Sequence, residues 1–555
     1  MRKPTPCPRT EAGIVLPIAL AAVALCSACA GAAQGPAKLI PAPPPPMGWS
    51  SWNSFSNTVD SQVVMAQAKA MVSSGMAKAG YQYINIDEGW WLGERDGEGN
   101  IVVDAKAWPA LAPGERAGDM GNIVRQIHGL GLKAGIYTDA GSEGCGTAFP
   151  DLGPSYPNTG SENHYEQDFL QFAKWGFDYV KVDWCGGVKE NLDPAVQYAE
   201  IARAIARAET ITGHRLYFSI CNWGKDSPWS WAPNVGGVGA DIWRTGGDIV
   251  APIVAGTKNA DRRAELKEVF REFDQAWHPE AQHTGFYNDP DMMVVGMAGL
   301  TEQQNRVHMS LWAILGGPLL VGADLARLSP EALATLIHPE VLAIDQDPLG
   351  LQAMKAAAPG TGLEVWSKPL ANGGARAVLL LNRTAAPASI SVRWREIGLQ
   401  DSAPATVRDL WAGKDLGEMS AEYSAMVPAA DAVLLVVRGR EAKRTQYKPS
   451  GAGGSLKEDF TVNRGHPVTF TQVASATPLA AIPIIYTNPD KAARFAELRV
   501  NGRIATRVAF ASTAASEQPG VVWIEAQLDR PGAKNELSFS AIGDAGPAIK
   551  SIWVQ

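Results

Sequence analysis

The chain has 555 residues, 46% of them hydrophobic and 19% charged, with a net charge of −8. That length implies several domains and ample core material, and the composition is that of a soluble globular protein. The acidic balance excludes nucleic acid or anionic lipid as the main partner.

Residues 1–32 read as an export signal. Arg2, Lys3 and Arg9 make a positive end, Ile14 to Leu25 make a short apolar run broken by Pro17, and Ala28-Cys29-Ala30 offers small residues for cleavage. The run is too short to span a bilayer, so the expected location is periplasmic or extracellular, with a lipid anchor at Cys29 as the alternative. Residues 33–46, which include Pro41 and Pro43 to Pro46, read as a stiff spacer.

Between residues 47 and 350, short apolar runs alternate with amphipathic stretches, the pattern of β-α units around a parallel sheet. Strands are predicted at 47–52, 83–88, 134–139, 179–185, 217–222, 241–244, 288–292 and 318–322, with helices between them, for example over 61–79 and 162–175. Eight repeats over this length predict a (β/α)₈ TIM barrel rather than a doubly wound sheet. Residues 351–440 carry strands without intervening helices, which predicts an antiparallel β-sandwich domain. Residues 441–455 turn basic and then Gly-rich and read as a linker. A further all-β, jelly-roll-like module is predicted over 456–555, with turns at Asn501-Gly502 and Pro519-Gly520.

The strand Tyr179-Val180-Lys181-Val182-Asp183 alternates apolar and charged residues and ends on a carboxylate, before Trp184-Cys185-Gly186-Gly187. One acid at a strand end is usually an ion-paired structural group. In a barrel, however, the C-terminal strand ends meet at one mouth. Asp87, Glu88, Asp139, Asp183, Asp248, Asp289 and Asp291 would converge there with Trp52, Trp90, Tyr137, Trp184 and Arg244. Carboxylates crowded in that way cost stability, which a polar ligand site explains and an accident of folding does not. Eighteen Trp support carbohydrate, because indole faces stack on sugar rings.

Cleaving a glycosidic bond takes two carboxyl groups flanking the anomeric carbon. Asp183 suits the nucleophile, since Lys181 shares its strand face and can hold it ionised. Asp248, on the Gly-bearing turn after a strand, suits the acid; these residues alone do not separate it from Asp291. The eight His show no metal-ligand spacing, and Cys145, Cys185 and Cys221 form no C-x-x-C pair, so neither metal nor cofactor is expected. The expected partner is a saccharide.

Met47-Gly48-Trp49, Trp52-Asn53, Asp87 with Trp90, Gly135-Ile136-Tyr137, Lys181-Val182-Asp183 with Cys185, Trp243-Arg244 with Asp248-Ile249, and Asn288-Asp289-Pro290-Asp291-Met292 stand in one order along the chain. Leu311-Trp312-Ala313-Ile314 and Ile344-Asp345-Gln346-Asp347-Pro348-Leu349-Gly350 continue the series. Together they resemble glycoside hydrolase family 27, which holds the α-galactosidases (melibiases) and the α-N-acetylgalactosaminidases. The resemblance implies a retaining mechanism with Asp183 as nucleophile and Asp248 as acid/base. It also implies a sugar pocket shaped by Trp52, Asp87, Tyr137, Lys181, Arg244 and Asp291, and a Cys145–Cys185 disulfide.

Three departures from that family bear on the substrate. Glu88 stands where α-galactosidases carry a second Asp beside the sugar's 6-hydroxyl, and relatives that depart there prefer β-L-arabinopyranosides. Asn222 stands where they carry Glu near the 2-hydroxyl, and Ala240 where the partner of Cys221 would be. Both Glu88 and Asn222 remain candidate substrate contacts, with the longer Glu88 expected to reach into the pocket. The last module is similar to family 35-type carbohydrate-binding modules through Leu498-Arg499-Val500-Asn501-Gly502 and the stretches 535–539 and 552–554; a spacer sandwich without ligand is the competing reading.

Overall fold

The computed structural model describes residues 37–555 apart from 149–157, 251–262, 280, 283–284, 451–460, 464, 477–478, 491–492, 515–517, 530–531, 533 and 544. The predicted signal, with Cys7, Cys26 and Cys29, lies outside the described residues, as do the start of the spacer and the Gly-rich end of the linker.

Eight parallel strands form the catalytic half: β1 (Met47–Ser50), β2 (Tyr83–Asn85), β3 (Lys133–Asp139), β4 (Tyr179–Asp183), β5 (Tyr217–Cys221), β6 (Ile242–Arg244), β7 (Tyr287–Asp289) and β8 (Leu319–Val321). Their order is β7-β6-β5-β4-β3-β2-β1-β8, and a parallel bridge between Met293 and Val321 closes the ring. Both faces of such a sheet are covered, so these strands are buried almost throughout. Tyrosines at the starts of β2, β4, β5 and β7 fill the closed end of the barrel, with the Tyr179 and Tyr217 rings stacked at 5.7 Å. The sheet register then sets Tyr137 beside Lys181, and Asp139 beside Asp183 beside Cys221, at the opposite end.

Helices α1 (Ser61–Ser73), α2 (Gly121–Gly129), α3 (Tyr165–Trp175), α4 (Pro194–Thr212), α5 (Leu266–Gln275) and α6 (Glu302–Leu315) surround the sheet. Asp60 caps α1 by accepting from the Val63 N–H at 2.8 Å, and Thr301 with Gln304 forms a capping box on α6. The single helix expected over 61–79 is broken, because Gly75 takes a left-handed φ of 89° and a separate turn, Met76–Ala79, follows. The repeat after β5 has no α-helix among the described residues. Its Gly- and Pro-rich sequence supports only 3₁₀ turns, Pro228–Ser230 and Ala232–Gly237.

Beyond the barrel, a six-stranded antiparallel sheet and a two-stranded one lie within residues 354–438. A second sandwich follows. One of its sheets is Val468–Val473, Asn535–Ile542, Arg494–Val500 and Arg503–Phe510; the other centres on Gly520–Gln527, Leu479–Thr487 and Ala545–Val554.

Two sequence readings change here. The described part of the spacer is not a free tether. Lys38–Leu39 pairs in parallel with Gly520 and Val521, the Ala42 N–H donates to the Pro348 carbonyl, and the Tyr287 hydroxyl donates to that of Pro43. Nor is 441–455 wholly a linker, since Thr445–Tyr447 pairs with Ile552 to Val554 on the other edge of the same sheet. The last module is therefore docked. Phe286 and Phe495 rings meet at 6.3 Å, and Gln555 Nε2 donates to the Gly398 carbonyl at 3.3 Å. No helix among the described residues is long and apolar enough to cross a membrane.

Candidate active site

The barrel mouth gathers charged side chains from five strand ends. Lys181 Nζ donates to Asp87 Oδ2 at 2.9 Å and lies 3.5 Å from Asp183 Oδ2, above the Tyr137 ring. Burial alone would lower the lysine, but the surrounding charges, Asp87's foremost, hold it well above its ordinary value. Asp183 is itself buried, and burial pushes its carboxyl up. Lys181 and the Trp184 N–H, which donates to Oδ1 at 3.0 Å, oppose that push, while the charges of Asp87 and Asp248 add to it. Lys181 thus moderates the rise and does not reverse it.

Asp139 ties the mouth together from one side. It accepts from the N–H groups of Gly141 (2.7 Å), Cys185 (2.7 Å) and Gly186 (3.1 Å), so the loops after β3 and β4 meet on one carboxylate. The Cys145–Cys185 disulfide joins the same two loops. The cluster Asp139, Cys145, Asp183 and Cys185 is not a thiolate set for a metal, because its two sulfurs are bonded to each other.

On the other side, Arg244 at the end of β6 donates from Nη2 to the carbonyls of Gly246 (3.2 Å) and Gly247 (2.5 Å) and to Asp248 Oδ1 (3.2 Å). Its Nη1 lies 3.1 Å from Asp291 Oδ1. Asp291 has both oxygens engaged, Oδ2 by the Ile249 N–H at 2.8 Å and Oδ1 by the Met292 N–H at 2.7 Å. Its φ of 79° is a strained value for a non-Gly residue, held by a bond from its N–H to Asp289 Oδ1. Burial pushes Asp291 up to about 6, against the pull of Arg244. The two candidate acids therefore differ sharply. The Asp248 side chain is 40% exposed and that of Asp291 only 3%.

A small cavity on the barrel axis is lined by Asp87, Lys181, Cys221, Arg244, Asp289 and Asp291 among others. Trp52 sits half-buried in the short helix after β1. Tyr137 is buried and donates its hydroxyl to Cys145 Sγ at 3.2 Å. Asn222 is buried at the end of β5; its Nδ2 donates to the Lys225 carbonyl at 2.7 Å, and its Oδ1 meets no donor among the described residues. Trp223, Asp226 and Ser227 in the following loop all take positive φ.

Two expectations are corrected. Glu88 does not simply extend into the pocket: the Gly146 N–H, on the disulfide loop, lies 3.0 and 3.3 Å from its two oxygens, because the extra methylene brings that backbone donor within reach. Trp90 belongs to the core behind β3. It packs edge-on to Trp91, Phe172 and Trp175, with Nε1 donating to the Tyr137 carbonyl. Glu272 was missed altogether: it is a fully buried carboxylate on α5 close to Arg244 and Asp291, and along the chain it is only one charge among several on an amphipathic helix.

Carboxylates and aromatics at the mouth of an eight-stranded parallel barrel define a glycoside hydrolase. Residues 44–347 match the family model described as Alpha galactosidase A, and residues 360–437 match the Alpha galactosidase C-terminal beta sandwich domain. The chain is 42% identical over 339 residues to the alpha-galactosidase A of Cellvibrio japonicus, covering 61% of this chain and 76% of the relative. To the alpha-galactosidase of Oryza sativa it is 38% identical over 393 residues, covering 71% and 84%. The solved alpha-galactosidase I of Mortierella vinacea is similar at 29% identity with a TM-score of 0.62, covering 72% of this chain and 98% of that one. The chain belongs to the Alpha galactosidase A family, glycoside hydrolase family 27. Residues 467–554 match a model described as Alpha-galactosidase, CBM13 domain, which replaces the family 35-type likeness read from the sequence.

Proposed function

We propose that the protein is a retaining exo-glycosidase that removes terminal non-reducing α-D-galactosyl residues from galactosides. Asp183 attacks the anomeric carbon and forms a glycosyl ester as the leaving oxygen departs. Asp248 protonates that oxygen, then takes a proton from the water that opens the ester. Lys181 moderates the rise in the Asp183 carboxyl and, with Asp87, presents a charged pair to ring hydroxyls. Trp52, Tyr137, Asn222, Arg244 and Asp291 complete the pocket.

The observation that carries this reading is the contrast between the two sides of the mouth. Asp183 is buried beside a lysine, as a nucleophile should be, and Asp248 is open, as a group exchanging protons with leaving group and water should be. Asp291, with both oxygens engaged by backbone N–H groups, is the poorer acid, which favours Asp248. Membership of a family whose named relatives are alpha-galactosidases supports the substrate. Export fits the Cys145–Cys185 disulfide, since such bonds persist in oxidising compartments. A second reading, β-L-arabinopyranosidase activity on the same machinery, rests on Glu88 in place of the second Asp.

The test is a panel of chromogenic α-galactoside, β-L-arabinopyranoside and α-N-acetylgalactosaminide with the first-formed anomer followed by NMR. The α-galactoside should be the best substrate, and the α-anomer of galactose should appear first. Asp183→Asn should abolish turnover, because an amide cannot form the ester. Inverted product appearing first would sink the mechanism, and a preference for the pentoside would move the assignment to the second reading.

A further inference from the structure

The loop carrying Asp248 leaves β6 through Gly246 and Gly247, and it is gripped from three directions. Arg244 holds its carbonyls, and the Ile249 N–H donates to Asp291. The third grip comes from behind. Arg271, on α5, donates from Nη2 to the Asp248 carbonyl at 2.6 Å. The same guanidinium lies on Glu272 Oε1, with Nε at 2.9 Å and Nη2 at 2.5 Å. Glu272 is fully buried, and its Oε2 meets no donor among the described residues. That oxygen lies so close beneath Gly246 that a Cβ there would collide with it and with Gln275. A buried carboxylate with one oxygen unbonded is expensive to keep for packing alone.

We propose that Glu272 is a positioning residue for Asp248, holding the Asp248 loop through Arg271. This rests on Asp248 being the acid/base. In front of the loop, Asp291 and Asp248 share the Arg244 guanidinium at 3.1 and 3.2 Å, so the hold from behind falls to Arg271 and Glu272. Burial pushes Glu272 up to about 7, with Arg244 and its partner Arg271 pulling it down and Asp291 adding to the rise. Among the described residues, Cys221 on β5, Asp289 on β7 and, on the same helix, Glu268 also face this cluster.

Glu272→Gln keeps the size but replaces the charge-assisted grip on Arg271 with a weaker neutral one. Turnover of galactosides with poor leaving groups should fall about 10-fold, and that of nitrophenyl galactoside by no more than about twofold, because general-acid help matters only for the former. Equal losses on both substrates, or no loss on either, would overturn the proposal, since a merely structural role lowers both alike. Should Glu272→Gln fail to fold, Arg271→Met, at a half-exposed side chain, decides the matter. Losses confined to poor leaving groups with KM held support the proposal; no loss overturns it. Asp248→Ala run in parallel separates the two readings. Equal losses there remove Asp248 as the acid, whereas a leaving-group split there without one in Glu272→Gln or Arg271→Met removes only the role of Glu272.

Discussion

A carboxyl group buried beside two others, as Glu88 is beside Asp87 and Asp183, gives up its proton reluctantly. Burial pushes Glu88 from an ordinary 4.5 to about 8, with the Gly146 N–H pulling it back and Asp87 adding to the rise. A carboxyl raised in this way binds its proton more tightly folded than unfolded. Its contribution to stability is complete below about 4.5 and is lost as pH climbs to about 8. Glu88→Gln, which keeps an acceptor for Gly146, should therefore raise Tm over the parent more at pH 8 than at pH 5. Thermal melts at both values check this, and an equal or smaller gain at pH 8 would mean that Glu88 ionises freely in the fold. At this scale Asp87, Lys181, Arg244 and Asp291 were legible, because a charge at the end of an apolar strand is conspicuous. Glu272 was not: an acid on a charged amphipathic helix looks like solvent-facing surface until its tertiary neighbours are known.

Between elements, the loops after β3 and β4 approach more closely than any side chain allows. A Cβ on Gly141 would collide with the Gly186 carbonyl carbon and the Gly187 nitrogen. The same approach lets Asp139 take three N–H groups and brings Cys145 to Cys185, two residues from Asp183. Gly141→Ala should cost about 1–3 kcal/mol, the usual range for forcing atoms into a packed site. It should also lower kcat, because the backbone it displaces carries Asp183. Urea midpoints and initial rates measure both effects; a variant with parental values would show that the loops can part without harm. The barrel strands were legible because apolar runs bounded by turn residues recur eight times. The missing helix after β5 was not, since counting repeats assumes a helix wherever sequence separates two strands. The Gly and Pro content of 224–239 carried the signal.

The whole molecule is closed on itself by its N-terminal segment. Composition marked residues 33–46 as stiff, but stiffness says nothing of a hydrogen-bonding partner some 480 residues later (Lys38 pairs with Gly520). The sheet formed by Gly520–Gln527, Leu479–Thr487 and Ala545–Val554 has Lys38–Leu39 on one edge, paired with Gly520 and Val521, and Thr445–Tyr447 on the other, so each edge is covered in part. The Lys38 N–H donates to the Pro519 carbonyl at 2.7 Å and that of Ile40 to Val521 at 3.3 Å, while Ile40 also packs on the module's core. Proline at both positions removes both donors. Each bond contributes about 0.5–1.5 kcal/mol, so the Lys38→Pro, Ile40→Pro double variant should lose roughly 1–3 kcal/mol of docking. A loss of that size shifts a closed–open ratio by a factor of roughly 5–150, every 1.4 kcal/mol being about tenfold. Limited proteolysis between 441 and 460 should accelerate by about that factor, releasing the last module. Turnover of a small chromogenic galactoside by the barrel should be unchanged, because none of these contacts touches the mouth. Cleavage at the parental rate would mean that Thr445–Tyr447 and the Phe286–Phe495 contact hold the module unaided and that the N-terminal strand adds nothing to its docking.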